Sequence, residues 1–248
     1  IGGIEIRNNK SLGKDFQLKN LREEFDAVFI SIGLGNVNSL ELEGESMEGV
    51  YDAVEKISDL RQSKKLSDLP IGRRIVVIGG GSTAIDIAVQ TKKLGAEDVT
   101  LAYRRGPKQM KATWKEVEFA QNNGVRIKFW ISPKSLRSEN GHVSGIEFDC
   151  TELDPDGKIF LTGEVRFIEA DVVYKAIGQL LDDDFDSEFE TLKIEKGKIA
   201  VNSKLETSIP FVWAGGDCIN SGEDLTVQAV EDGKQAAIAI NEKLTNNE

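Results

Sequence analysis

The hydrophobic residues of this chain fall into short apolar runs that alternate with longer stretches of helical periodicity. Residues 75–78 are apolar throughout, as expected of a parallel strand covered on both faces. Comparable runs lie within residues 26–35 and 171–179, and each begins with Asp and reaches an Ile-Gly pair. This alternation predicts an α/β fold. The two matching runs indicate two domains of similar build, the alternative being two unrelated buried strands.

Helical periodicity recurs between these runs. The stretches that show it are residues 49–62, 84–94, 111–124 and 227–244, and residues 18–25 form a further helical turn. Gly95 is placed to end the second helix, and Thr226 to cap the last one.

The periodicity changes to two residues between 125 and 168. Turn sequences at 139–142 and 154–157 interrupt it, which predicts a small antiparallel sheet in the place of a crossover helix. Shorter strands are predicted at 4–7, 198–201 and 211–214, and an acidic surface loop at 182–190.

A glycine-rich turn follows the first buried strand directly. Gly79-x-Gly81-x-x-Ala84 stands between that strand and a helix, which is the setting of a dinucleotide-binding fingerprint. Gly79 permits the tight turn, Gly81 lets a pyrophosphate approach the backbone, and Ala84 lets the helix pack closely. The helix N-terminus offers free N–H groups to phosphates. The alternative is a glycine turn in an ordinary α/β protein.

Basic residues follow the second strand, at 99–103. A fold that binds NAD usually places Asp or Glu there to hold the ribose 2′-hydroxyl, whereas this chain has Arg104-Arg105, with Lys108 and Lys111 nearby. Guanidinium groups bind a 2′-phosphate in a bidentate manner. NADP(H) is therefore favoured over NAD(H), the alternative being a solvated basic loop.

A second strand–turn–helix unit lies near the C-terminus. Gly215, Gly216 and Asp217 follow the apolar run 211–214, and the last helix begins soon after. The glycines let another group approach the backbone, Asp217 can accept hydrogen bonds from sugar-like hydroxyls, and the helix start presents free N–H groups. A strand–turn–helix with a capping Asp explains the pattern equally well.

Composition narrows the classes of function. The chain has 248 residues and a formal net charge of −11, which argues against a general binder of nucleic acid or anionic membranes. Its two cysteines, Cys150 and Cys218, form no Cys-x-x-Cys, so a thioredoxin-type dithiol, a zinc ribbon and a cysteine-ligated iron–sulfur cluster are excluded within the chain. No metal site is expected. No apolar run spans a bilayer and no signal peptide is visible. The two separate cysteines fit a reducing cytoplasm, which is the expected location.

The chain resembles a known family through three motifs. The strand-Gly-Gly-Asp sequence at 211–217 with the helix sequence 226–237 is similar to the C-terminal FAD signature of two-dinucleotide-binding-domain flavoproteins. Residues 76–86 and 99–106 resemble the NADPH domain of the same group, which includes the glutamate synthase small subunit and the flavin-containing part of dihydropyrimidine dehydrogenase. The resemblance covers nearly the whole chain.

The resemblance implies a Rossmann-like NADP(H)-binding domain, residues 70–206, inserted into an FAD-binding domain formed by residues 1–69 and 207–248. The implied pyridine-nucleotide contacts are Gly79, Gly80, Gly81, Ser82, Thr83 and Ala84 at the fingerprint, Arg104, Arg105 and Lys111 at the 2′-phosphate, and Ala176, Ile177 and Gly178 on the opposite side. The implied contacts to the flavin half of FAD are Gly216, Asp217, Thr226 and Val227.

The resemblance also implies a function. Hydride would pass from the nicotinamide to the flavin, and electrons would leave singly toward the iron–sulfur and flavin centres of a partner subunit or domain. Because the cofactors carry this chemistry, no catalytic acid–base residue is predicted. His142 is expected to be an exposed hairpin residue, Cys218 a small buried one, and Asp86 a structural carboxylate.

The chain departs from the family at its start. No second Gly-x-Gly-x-x-Gly stands upstream of Ile4, and the family's N-terminal iron–sulfur cysteines are absent, so the ADP half of the FAD site is not expected in this chain. The chain begins with Ile1 and is expected to be the C-terminal part of such a protein. The alternatives are a non-catalytic nucleotide-binding or assembly module and a dihydropyrimidine dehydrogenase-type reductase subunit. The final electron acceptor stays open.

Overall fold

A computed structural model describes residues 2–182 and 191–245. The chain forms two compact units. The central unit is Val37–Gly178, and the split unit joins the residues up to Asn36 with those from Gln179 onward. Residues 183–190, most of the predicted acidic loop, lie outside the described residues.

In chain order the helices and strands are α1 (Leu18–Glu24), β1 (Val28–Ile30), β2 (Asn36–Val37), β3 (Val50–Asp52), α2 (Ala53–Gln62), β4 (Arg74–Gly79), α3 (Ser82–Lys93), β5 (Asp98–Tyr103), α4 (Trp114–Asn122), β6 (Arg126–Phe129), β7 (Ile131–Glu139), β8 (His142–Leu153), β9 (Ile159–Glu169), β10 (Val172–Ala176), β11 (Gln179–Leu180), β12 (Ile194–Glu195), β13 (Lys198–Ile199), β14 (Val212–Ala214) and α5 (Thr226–Thr245).

The central unit is built on a parallel sheet in the order β3-β10-β4-β5-β6. Val76 and Val77 of β4 are fully buried, because neighbouring side chains point to opposite faces and both faces are covered. Helices α2, α3 and α4 contribute to the core on one face. The chain leaves β4 toward β5 on one side and β10 lies on the other, so the strand order reverses beside β4.

The antiparallel sheet β7-β8-β9 covers the other face, as the period-two pattern predicts. Ile146 and Phe148 of β8 are fully buried and share a core with Val76 and Ile78 of β4. The predicted turns lie between these strands, with Asn140 and Gly141 both at positive φ. The predicted α/β fold with a small antiparallel insertion is confirmed.

In the split unit, β1 pairs in parallel with β14, and α1 and α5 contribute to the core around them. Trp213, Cys218 and Leu18 are fully buried there. The backbone bends sharply after β1, at Gly33 (φ +66°), and after β10 in the central unit, at Gly178 (φ +106°). The two Ile-Gly pairs noted in the sequence therefore mark similar turns.

Some local predictions are wrong. Residues 50–52 form β3 rather than the first turn of a helix, because they pair with β10. Residues 4–7 form no strand, and Ile4 and Ile6 are exposed. Thr226 is the first residue of α5 rather than its cap, since the Leu225 carbonyl accepts from the Ala229 N–H at 3.0 Å.

The crossings between the units, at 36/37 and 178/179, differ from the predicted boundaries at 69/70 and 206/207. The reason is that β3 pairs with β10 and α2 packs in the central core. The assignment of each segment to a cofactor stays a prediction. No helix in residues 2–182 and 191–245 is long and apolar enough to cross a membrane.

Candidate functional site

The end of β4 meets the end of β10 at the carboxyl edge of the central sheet. Gly79 pairs with Ala176 and has φ +152°, a conformation that L side chains rarely adopt. A Cβ on Gly79 would lie 2.2 Å from the Ala176 carbonyl oxygen. The first glycine of the fingerprint is therefore required by the packing of the protein itself.

Gly80 is held by the segment that follows β5. A Cβ on Gly80 would lie 2.4 Å from the Tyr103 ring, and the Gly80 carbonyl accepts from the Lys111 and Ala112 N–H groups, both at 3.0 Å. The Tyr103 hydroxyl donates to the Gln109 carbonyl at 2.6 Å. These contacts fix the glycine turn against the basic segment.

Gly81 differs from both of its neighbours. Its φ of −105° suits any residue, and a Cβ there would meet nothing within 4 Å. Helix α3 begins at Ser82 with no side-chain cap, so the N–H groups of Ser82 and Thr83 have no partner within the helix. Ala84 is fully buried, as predicted. The protein leaves open space where the fingerprint expects a pyrophosphate.

The basic residues after β5 are fixed through their backbone. The Arg104 carbonyl accepts from the Thr151 hydroxyl at 2.9 Å, and the Arg105 carbonyl accepts from the Trp130 N–H at 3.2 Å. Within the described ranges, the side chains of Arg104, Arg105, Lys108 and Lys111 form no ion pair, whereas those of Arg73, Arg74, Arg126 and Arg137 each meet a carboxylate. The chain thus keeps these cations available in an otherwise acidic protein.

The turn after β10 is held by one side chain. Asn38 donates from its backbone N–H to the Gly178 carbonyl at 3.1 Å and from Nδ2 to the Ile177 carbonyl at 3.3 Å. Ala176 and Ile177 are half-buried, and Gly178 is exposed. The strand order reverses between β4 and β10, and ligands of open α/β sheets bind at the carboxyl ends of the strands there.

A partly buried ion cluster lies at the same edge and is absent from the sequence predictions. Lys175 Nζ lies 2.8 Å from Glu45 and 3.0 Å from Asp52. Burial would raise the pKa of Glu45, but hydrogen bonds from Lys175, Ser39 and the Leu40 N–H outweigh it and lower that pKa to about 2. The cluster fixes the segment around Glu45 beside β10. Glu45 and Lys175 are far apart in sequence, so no local pattern reveals it.

The split unit has a cleft of about 320 Å³ at the carboxyl ends of β1 and β14. Residues of four segments line it: Ser31, Gly33, Gly215, Gly216, Asp217, Asp224, Thr226 and Ala229. A Cβ on Gly33 would meet nothing within 4 Å. Of the predicted flavin contacts, Gly216, Asp217 and Thr226 line the cleft. Val227 does not, and it is 74% exposed.

A carboxylate from α5 holds the glycine turn of this cleft. Asp232 is 5% exposed and is the one charged residue fully buried in the described part of the chain. Its Oδ2 accepts from the Gly216 N–H at 2.9 Å, and its Oδ1 accepts from Gln228 Nε2 at 2.7 Å. Sequence reasoning missed Asp232, because a carboxylate in a polar helix is usually exposed.

The remaining candidate residues contact other groups of the protein, and these contacts indicate structural roles. Cys218 is fully buried, as predicted, and burial raises the pKa of its thiol. His142 is half-buried rather than exposed, and its Nε2 lies 2.9 Å from the Asp171 carbonyl oxygen. Both Cys150 and Cys218 are free thiols, and no group of metal-ligating side chains occurs in residues 2–182 and 191–245.

Comparison with known proteins identifies the family. Residues 4–233 match the model of the pyridine nucleotide-disulphide oxidoreductases. The chain belongs to this family. Both parallel sheets carry a glycine turn at their carboxyl edge, and this arrangement agrees with the family match.

Curated relatives agree with that assignment. The chain is 33% identical to the glutamate synthase [NADPH] small chain of Escherichia coli over 96% of its own length and 54% of that protein. It is 34% identical to the NADP(+)-dependent formate dehydrogenase subunit beta of Moorella thermoacetica, over 98% of its own length and 35% of that protein. The predicted resemblance to the glutamate synthase small subunit is confirmed. The chain spans about half, or less, of the length of these relatives.

Solved structures share the fold. Mycobacterium tuberculosis FprA in complex with NADPH superposes with a TM-score of 0.76 at 18% identity, covering 96% of this chain and 68% of FprA. T. acidophilum thioredoxin reductase gives a TM-score of 0.71 at 22% identity, covering 88% of this chain and 66% of that one.

Proposed function

We propose that this chain is the pyridine-nucleotide-oxidising part of a flavoprotein reductase that uses NADPH. The central unit binds NADP(H) at the carboxyl edge of its sheet, and the split unit holds the flavin half of FAD. The observation that carries the proposal is the open space at Gly81. The same turn is fixed to a segment whose cations form no ion pair within the described ranges.

The residues present fit a pyridine dinucleotide phosphate. The N–H groups of Ser82 and Thr83 would hold the pyrophosphate at the start of α3, where the helix dipole favours an anion. Arg104, Arg105 and Lys111 would bind the 2′-phosphate, while Gly79 and Gly80 shape the turn. Ala176, Ile177 and Gly178 would border the nucleotide on the β10 side.

The split-unit cleft fits a flat, polar ring. Its volume of about 320 Å³ lies at the lower end of the range for small-molecule sites. Gly33 and Gly216 add no side chain to its walls, and Asp217 and the N-terminal turn of α5 supply polar groups. Once both cofactors are bound, the chemistry they supply is hydride transfer from nicotinamide to flavin.

The relatives support the role of the chain within a larger assembly. They are named as a small chain of glutamate synthase and a beta subunit of a formate dehydrogenase, and both names include an NADP cofactor. We infer that electrons pass to a partner subunit or domain with iron–sulfur or flavin centres.

The first test compares nucleotide affinities by calorimetry. The wild-type chain is expected to bind NADPH at least tenfold more tightly than NADH, because charge-assisted hydrogen bonds to the 2′-phosphate contribute about 1.5–3 kcal/mol. Arg104→Glu should lose most of this preference while retaining its fold. Arg166→Glu is the matched control, since Arg166 is also exposed and without an ion pair in the described residues but lies on β9.

Two results would contradict the proposal. Equal affinity of Arg104→Glu and wild type for NADPH would remove the 2′-phosphate assignment. A chain that binds NADPH but shows no flavin absorbance after incubation with FAD or with FMN would favour the alternative of a nucleotide-binding module without flavin chemistry.

A further inference from the structure

Asp232 is a buried carboxylate for which the described residues supply no cation. Transferring a charged group out of water is costly unless hydrogen bonds or an opposite charge compensate for it. The partly buried Lys175 of the central unit has two carboxylate partners, whereas Asp232 has, among the described residues, only the Gly216 N–H and the Gln228 amide. These two hydrogen bonds tie Asp232 to the Gly216 backbone and to the Gln228 side chain.

The conformation that Asp232 determines is that of the cleft wall. Gly216 has φ +76°, and its N–H donates to the carboxylate of Asp232 on α5. The fit around the preceding residue is tight, since a Cβ on Gly215 would lie 2.8 Å from Phe29 and 2.9 Å from the Asp232 Cβ. Gly215, Gly216 and Asp217 all line the cleft, so a shift of Asp232 would move that wall.

We propose that Asp232 is a positioning residue for the flavin ring: its carboxylate fixes Gly216, and through it Asp217, in the orientation that the ring requires. This inference rests on the proposed function, because it takes the cleft to be the flavin site. It adds a residue that touches the turn rather than the ring and that acts through two hydrogen bonds.

The experiment measures FAD binding by flavin fluorescence and records the absorption spectrum of the bound flavin. Asp232→Ala removes both hydrogen bonds and is expected to weaken FAD affinity at least tenfold and to make the bound spectrum resemble that of free FAD. Asp232→Asn should stay within about threefold of wild type, since an amide oxygen can still accept from Gly216 and a rotated Gln228 amide can accept from the new NH₂. This rescue separates positioning from charge.

Two further variants complete the set. Glu231→Ala is the matched control, because Glu231 is the exposed neighbour of Asp232 on α5, and it should leave affinity and spectrum unchanged. Gly216→Ala disturbs the same turn by changing the other residue of the Gly216–Asp232 hydrogen bond. An L-residue at φ +76° is strained although its Cβ would make only an ordinary 3.5 Å contact with Ala229. It should reproduce the loss seen in Asp232→Ala, and it decides the matter if Asp232→Ala fails to fold.

Several outcomes would overturn the inference. These are wild-type affinity in Asp232→Ala or in Gly216→Ala, and equal losses in Asp232→Asn and Asp232→Ala. A wild-type chain that binds neither FAD nor FMN, which carries only the flavin half, would overturn it as well. NADPH binding at the central unit is measured separately, so the proposed nucleotide site could still stand in that case.

Discussion

Both units place a glycine turn between a parallel strand and a helix, but different groups hold the two turns. In the central unit the Ala176 carbonyl and the Tyr103 ring crowd the glycines. In the split unit the buried Asp232 carboxylate binds the turn directly. Glycine is therefore used in both turns, but the groups that surround it differ between the two units.

The charges around the two turns differ as well. Four cations that form no ion pair with the described residues follow β5 in the central unit, while Asp217 and Asp224 line the cleft of the split unit. The first environment suits phosphates and the second suits hydroxyl or N–H donors. The nearby charges therefore distinguish two sites whose glycine patterns are similar.

The largest expected effect concerns the central unit, where neighbouring groups crowd the glycines of the turn. Gly79→Ala should destabilise the protein by about 3 kcal/mol or more, because it combines backbone strain with overlap at the Ala176 carbonyl. Urea unfolding measures the change. A loss below about 1 kcal/mol would mean that the end of β4 can move away from β10 at little cost.

The next largest effect concerns the pH dependence of stability that the ion cluster of Glu45 and Lys175 produces. The lowered pKa of Glu45, about 2 against 4.5 unfolded, stabilises the fold by on the order of 3 kcal/mol above pH about 4.5, and this is lost as the pH falls toward 2. The raised pKa of Lys175 has the opposite sign, so its contribution is present below pH about 10.5 and is lost above it.

Unfolding free energies of wild type and Glu45→Gln between pH 2 and pH 7 test this linkage, the range being set by the pKa of about 2. The variant should lose the part of the acid dependence that Glu45 contributes. Glu43→Gln, an exposed neighbour, is the control. Parallel curves for wild type and Glu45→Gln would show that Glu45 is not responsible.

At Gly81, where the turn leaves open space, a substitution should change nucleotide affinity without changing stability. Gly81→Ala should leave stability within about 0.5 kcal/mol, because its φ is ordinary and its Cβ meets nothing. NADPH affinity should fall about tenfold, or about 1.4 kcal/mol, since the methyl group would occupy the pyrophosphate position. Calorimetry and urea unfolding on the same sample separate the two quantities. Unchanged affinity would mean that the phosphates lie elsewhere.

The smallest effect concerns the helix that follows the basic segment. Thr113 caps α4 in a capping box with Glu116. Thr113→Ala should cost about 1 kcal/mol of stability. Thr245→Ala, at the end of α5, serves as a control of the same type and should cost less. Thermal unfolding distinguishes the two, and equal costs would argue against a specific role of the cap.

The sequence was most informative where a local pattern has a local cause. The turn at Gly79, the burial of Ala84 and the antiparallel strands all follow from short-range periodicity and steric limits. The Schellman turn at Gly95 is of the same kind: its φ is +110°, and the Ala96 N–H donates to the Thr91 carbonyl at 3.1 Å.

The sequence was least informative where partners are distant. Residues 50–52 match a helix locally, but their strand pairs with β10. Glu45 meets Lys175 across 130 positions of sequence. Residues 4–7 alternate like a strand, but periodicity cannot show whether a partner strand exists. The role of Asp232 depends on a glycine 16 positions away, on another element.

The ends of the central unit also bear on how the chain folds. Asn38 binds the backbone of Ile177 and Gly178, so the first and last residues of this unit lie side by side. Joining distant segments costs entropy that grows with the length of the intervening loop. Once the central unit has folded, its bonded ends replace that long loop with a short connection. We therefore expect the split unit to assemble second, with most of its closure entropy already removed.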